Sequence, residues 1–267
     1  MIKPSLHRIR IISTLHSYFK KAGRVTQIGV CILVALLFLF VASMRPEKNK
    51  ITNLNANHTA NTSPHNELLL QADSVYQHLQ LAEAGLQRNA FRMAFKGYRK
   101  MIDLGMIAKR GLLSIADFSL PSTQQRFFVV DMQRGKLLFK TWVAHGRNSG
   151  RIYATDFSNT PSSYKSSLGF YLTLQPYYGD KGYALKLKGM EKGINDKAYE
   201  RAIVIHGADY VNGNMAATQG YLGRSLGCPA LPFELNKKVI DTIREGSCFF
   251  IYHPNPAYLN NSNFLNG

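Results

Sequence analysis

The apolar stretch from Val25 to Met44 carries no charged residue over 20 positions, and its centre, Ile28 to Ala42, is apolar on every side. Roughly 20 residues of helix span a hydrocarbon core of about 30 Å, so the pattern predicts a transmembrane helix at 25–44. Residues 1–24 hold Lys3, Arg8, Arg10, Lys20, Lys21 and Arg24 and no acid. Such a segment stays in the cytoplasm and sends the chain after the apolar run across the membrane. The rival is a cleaved signal peptide, with Val41 and Ser43 at the small-residue positions.

Beyond Met44 the pattern changes three times. Residues 45–66 are Asn, Thr, His, Pro and Lys with few large apolar groups, the composition of a linker. Ser63 and Pro64 form a cap and first-turn pair able to start a helix. From 67 to 110, Leu69, Ala72, Tyr76 and Leu79, then Phe91, Ala94, Phe95, Tyr98, Met101 and Ile102, recur at spacings of three and four. They predict a helical segment broken near Gly85 or Gln87–Asn89. After Gly111 the runs become short and β-prone: 112–120, 126–131, 136–144, 168–175 and 183–187, then a strand ending at His206. Met132–Gly135 reads as a hairpin turn, Pro232–Glu245 as a helix stopped by Gly246, and Ser247–Tyr252 as a last strand. Residues 256–267 read as a C-terminal tail. The pattern predicts a mainly β domain with a transmembrane helix and a helical segment before it.

The formal charge of +17 raises nucleic acid as a partner. Its distribution argues otherwise. Residues 45–110 hold ten bases and five acids, and 111–267 hold seventeen bases and eleven acids, so the charge is spread thinly. No nucleic-acid-reading motif accompanies it, and a mildly basic surface suits an anionic envelope polymer or lipid equally well.

Of three cysteines, Cys31 lies in the apolar run, leaving Cys228 and Cys248. In an exported protein these could pair, although Cys248, in Ser247–Tyr252, also reads as a buried core thiol. Cys228 stands between Gly227 and Pro229, twenty-two residues after His206, which ends an apolar strand. A thiol becomes nucleophilic as thiolate, and an imidazole is its commonest partner. The backbone N–H groups of Gly227 and Cys228 are candidates for an oxyanion hole. One Cys and one His are equally compatible with an inert thiol and a satisfied core histidine. His145, in a glycine-bearing turn, reads as a loop-ordering residue, with Asn148 and Ser149 as candidates to line a cleft. His145, His206, Asp209 and His253 lack metal-site spacing, so no metal or other cofactor is expected.

The flanking strings carry more. His206-Gly207, a loop, then Ser225-x-Gly227-Cys228 resembles the signature of the L,D-transpeptidase catalytic domain, the YkuD-like family of peptidoglycan enzymes. Val143–Gly150, Phe157–Asn159, Ser166–Tyr171, Arg201–Ala208 and Gly223–Ser225 are similar to its murein L,D-transpeptidase branch. The resemblance covers about residues 112 to 255 and implies a β-sandwich-like catalytic domain at 111–255. It also implies a Cys228 thioester with His206 as base and later acid, Ser225 supporting the turn, and peptidoglycan stem peptides as partners. The terminal D-alanine would be released and the acyl group passed to an amine. Leu226 stands where many members carry a second histidine, and Pro229-Ala230-Leu231 where many carry Arg or Asn. Arg224 is the candidate substitute for holding a substrate carboxylate, with Gly207 beside it as a substrate-binding position. Hydrolysis with water as acceptor, and a silent peptidoglycan-binding module, are the other expectations. The expected location is the inner membrane, single-pass, with the domain on the periplasmic side.

Overall fold

The computed structural model describes residues 64–267, which lie in one compact unit. The basic segment, the predicted anchor and most of the linker fall outside the described residues. Among the described residues no helix is long and apolar enough to cross a membrane.

Helix α1 (Pro64–His78) starts at the expected proline, inside the stretch read as linker, and α2 (Arg88–Asp103) follows. Gly85, at φ +85°, lies in the turns between them. Of the predicted stripe on α2, Phe91, Ala94, Phe95, Tyr98 and Met101 are buried and Ile102 is half-buried. Arg92 grips both carboxylate oxygens of Asp73 on α1, which holds that carboxyl below its ordinary pKa.

Eight strands come next: β1 (Leu112–Asp117), β2 (Phe127–Asp131), β3 (Lys136–Thr141), β4 (Gly169–Gly179), β5 (Gly182–Gly189), β6 (Val204–Ala208), β7 (Ala230–Pro232) and β8 (Cys248–Tyr252). Helix α3 (Gly213–Gln219) lies between β6 and β7, and α4 (Phe233–Ile243) between β7 and β8. All strands join one sheet in the order β3-β2-β1-β8-β4-β5-β6-β7, with β1/β8 and β6/β7 parallel and the other pairs antiparallel. The mainly β, sandwich-like domain that was expected is built here from one continuous β-rich sheet. Just past β3, Ala144 makes an antiparallel bridge to Ala230 on the far edge strand, so the sheet turns back on itself there.

The β2–β3 turn forms where expected, with Asp131 Oδ1 accepting from the N–H groups of Gln133 and Arg134 and Gly135 at φ +60°. Central strands β1, β2 and β8 are buried throughout, and Phe170 stacks on Phe250 at 4.1 Å between centroids. The residues read as a tail form α5 (Pro256–Asn261) and α6 (Asn263–Asn266), which bury Tyr258, Phe264 and Leu265. Tyr258 and Ser262 donate to the buried carboxylate of Glu191, which also accepts the Phe170 N–H, so this end of the chain completes a polar cluster inside the domain.

Candidate active site

The place where the sheet closes is where the candidate residues meet. His206 on β6 pairs with Ala230 on β7, and Cys228, two residues before Ala230, lies level with the start of β6. A single cross-strand row, Tyr177, Ala184, His206 and Ala230, runs over four strands. Helix α4 covers the opposite face, where a side chain at Gly207 would meet Asn236 Cβ at 3.1 Å and Phe233.

His206 is 4% exposed, and its Nδ1 lies 2.9 Å from the Gly207 carbonyl oxygen. A carbonyl only accepts, so Nδ1 carries the proton and Nε2 of the neutral ring is left with its lone pair. Gly207 thus fixes a tautomer and is buried against α4 rather than offered to a ligand. Burial, reinforced by the positive charge of Lys181, holds the imidazole below the ordinary histidine pKa, against the opposing pull of Gly207.

Cys228 is a free, partly exposed thiol, and Cys248 is free and fully buried, with its sulfur 3.7 Å from Met101 Sδ. The conceivable disulfide between them is absent. Cys228 Sγ has the Ala202 carbonyl at 3.8 Å, and among the described residues no hydrogen bond joins it to His206. Burial pushes this thiol above its ordinary pKa, while the Val204 N–H and the charges of Arg201 and Lys181 pull it down. A thiol above its usual value beside an imidazole below its own disfavours the resting thiolate–imidazolium pair. Both directions favour a thiol and a neutral base at rest. Alkylation of Cys228 by iodoacetamide should accordingly rise through a midpoint above the ordinary cysteine range; a midpoint between pH 5 and 7 would show a preformed ion pair.

Ser225 Oγ donates to the Cys228 carbonyl at 2.6 Å and accepts the Gly227 N–H at 3.0 Å. The Gly227 carbonyl accepts from Ser166 Oγ at 3.1 Å. Gly227 adopts φ +123°, and a Cβ there would lie 2.8 Å from the Lys165 carbonyl oxygen, so only glycine fits. Ser225 therefore ties the turn and makes no bond to the imidazole. The Gly227 N–H, expected in the oxyanion hole, is already spent on Ser225. The Cys228 N–H has no acceptor among the described residues.

The remaining expected contacts are also structural. Ser149 is fully buried, its Oγ accepting the Ser166 N–H at 2.9 Å, so it does not line a cleft. Exposed Asn148 donates to the Ser163 carbonyl at 3.0 Å. Arg224 uses Nη1 on the carbonyls of Arg147 and Gly150 at 3.2 and 3.3 Å. His145 is buried, with Nδ1 2.7 Å from Arg126 Nη2 and Nε2 3.2 Å from the Gly150 carbonyl. An arginine only donates, so Nδ1 accepts and the ring is held neutral; burial and Arg126 bring its pKa down to about 3. His145 orders the loop, as expected, through its carbonyl, which takes the Ser225 N–H at 3.0 Å.

A family model for the L,D-transpeptidase catalytic domain matches residues 82–252 of this sequence. The chain belongs to that family. The match starts ahead of the sheet and takes in α2. No curated protein matches the sequence. Among solved structures, an L,D-transpeptidase from Mycobacterium smegmatis is 16% identical with a TM-score of 0.34, over 54% of this chain and 59% of that one. L,D-transpeptidase 3 from Mycobacterium tuberculosis is 14% identical with a TM-score of 0.31, over 54% and 61%.

This L,D-transpeptidase domain also uses residues that the sequence did not single out. Arg201 anchors its guanidinium on the Ser158 and Lys165 carbonyls at 2.8 and 2.7 Å and on the hydroxyls of Ser167 and Ser163. It lies 3.4 Å from where a Gly227 Cβ would stand, under the turn that carries Cys228. Tyr210 packs against the small cluster that contains Ala230, and burial together with the Cys228 charge pushes its phenol up to about 12, so it keeps its proton at neutral pH. Among the described residues no cluster of His, Cys, Asp or Glu could hold a metal ion.

Proposed function

We propose that this chain is a peptidoglycan L,D-transpeptidase acting through a Cys228 thioester, held to the inner membrane by residues 25–44 with its domain on the periplasmic side. The observation that carries the reading is a partly open thiol, on the turn leading into β7, and a histidine on the adjacent strand β6 whose tautomer leaves Nε2 free as a base, inside a matched L,D-transpeptidase domain.

As Cys228 Sγ attacks the donor carbonyl, its proton passes to His206 Nε2 and an S–C bond forms. The Cys228 N–H binds the developing oxyanion, with the Tyr210 phenol as the second donor. Collapse breaks the amide C–N bond, and the leaving amine takes the proton from His206. An acceptor amine then attacks the thioester carbonyl, gives a proton to His206, and releases Sγ, which takes that proton back. Lys181 opposes the imidazolium, and Arg201 and Lys181 together favour the thiolate, so the pair exchanges one proton rather than storing separated charges.

Incubating the full chain with a tetrapeptide-containing muropeptide tests the reading. Crosslinked dimer is the expected product. Tripeptide alone would replace transfer by hydrolysis, and an unchanged substrate would leave a silent binding module.

A further inference from the structure

Strands β4 and β5 form a hairpin whose two-residue turn, Asp180–Lys181, closes on the Gly179–Gly182 pair. On β5, Ala184 faces His206, so the turn stands three residues from the rung that holds the base. The hairpin is braced from the other face. Tyr183 donates its hydroxyl to Asp241 of α4 at 2.7 Å, its carbonyl accepts from Asn236 at 2.6 Å, and its ring lies 5.0 Å from that of Tyr178. The hairpin is therefore held in place up to Tyr183, and the exposed tip adjoins it directly.

The cations around Cys228 and His206 differ in what they have left to give. The Arg201 guanidinium is spent on two carbonyls and two hydroxyls. Arg224 is tied to loop carbonyls. Lys186 points its ammonium over the rings of Tyr177 and Tyr199, at 5.2 and 6.0 Å. Lys181 is exposed and makes no hydrogen bond or ion pair among the described residues. Its charge nonetheless acts on both His206 and Cys228.

We propose that Lys181, at the tip of this hairpin, binds the carboxylate of the residue expelled from the donor peptide and so sets the scissile carbonyl over Cys228. The assignment rests on the transpeptidase reading above. In such a donor one residue, about 3.5 Å of extended chain, separates the attacked carbonyl from the free carboxylate. An ammonium on a flexible stem, close enough to act on both reacting groups, suits that short span.

The test uses the full chain carrying Cys228→Ala, titrated with a tetrapeptide donor ending in a free carboxylate and with its C-terminal carboxamide. The carboxylate form should bind about tenfold more tightly. Lys181→Met should erase that preference and Lys181→Arg retain most of it, and kcat/KM in the Cys228 chain should follow the same order. A preference that survives Lys181→Met, or none in the Lys181 chain, overturns the assignment while leaving turnover intact. Failure of the Cys228 chain to turn over either donor, or of the Cys228→Ala chain to bind either, overturns the transpeptidase reading and this assignment together.

Discussion

Cys228→Ala in the full chain is expected to lower donor turnover by about four orders of magnitude or more, as loss of a covalent nucleophile does when no other group can form the intermediate. Cys228→Ser should be nearly as damaging. A serine hydroxyl holds its proton more tightly than a thiol, and a His206 held below the ordinary histidine range is a weak base to remove it. Cys248→Ala should leave turnover within a few-fold, because Cys248 lies in the core against Met101 with its thiol driven far up by burial. Product formation by each variant, measured beside intact-mass detection of the acyl-enzyme, checks all three. Turnover retained in Cys228→Ala would end the nucleophile assignment.

The residues in that prediction were legible because the information lay close together in the chain. Gly227-Cys228-Pro229 advertises a held turn, and an apolar strand ending in histidine advertises a side chain at a sheet boundary. The helices α1, α2 and α4 and the longer strands were legible from period alone. Strand β7 was not. Three residues ending in proline carry no alternation, and the strand exists only because His206-Gly207-Ala208 offers a parallel partner. Arg201 and Lys181 escaped notice for a similar reason. The chain returns to Cys228 only after a long loop, so nothing local marks an arginine 27 positions earlier as its neighbour. The Gly227 N–H is a different case, since a serine two residues ahead is a known competitor for a turn amide. Ser225 in Ser225-Leu226-Gly227 was a readable sign that the Gly227 N–H would be taken inside the turn.

Arg126→Met is expected to cost about 3 kcal/mol or more of folding stability, although Arg126 lies far along the chain from the nucleophile. Its guanidinium is fully buried against the Phe118 ring, with its centre 4.7 Å from the ring centroid. It donates to the Leu120 carbonyl at 2.7 Å, to the Val143 carbonyl at 3.2 and 3.1 Å, and to His145 Nδ1 at 2.7 Å. Burial lowers its pKa to about 9, with Asp117 opposing, so the cost of holding the charge inside is real and these acceptors offset it. Methionine fills the stem volume but leaves the buried Val143 carbonyl and His145 Nδ1, and the half-buried Leu120 carbonyl, without this donor. Lysine, with one ammonium in place of a planar fork, should recover only part of the loss. The damage should reach the site through His145, whose carbonyl holds the Ser225 N–H, and Ser225 holds the Cys228 carbonyl. Turnover per folded molecule should therefore fall as well, and more than Cys228 alkylation does, since the thiol remains while its turn loosens. Denaturant unfolding of Arg126→Met and Arg126→Lys measures the first effect; a loss below about 1 kcal/mol in Arg126→Met would mean that the loop does not depend on this guanidinium.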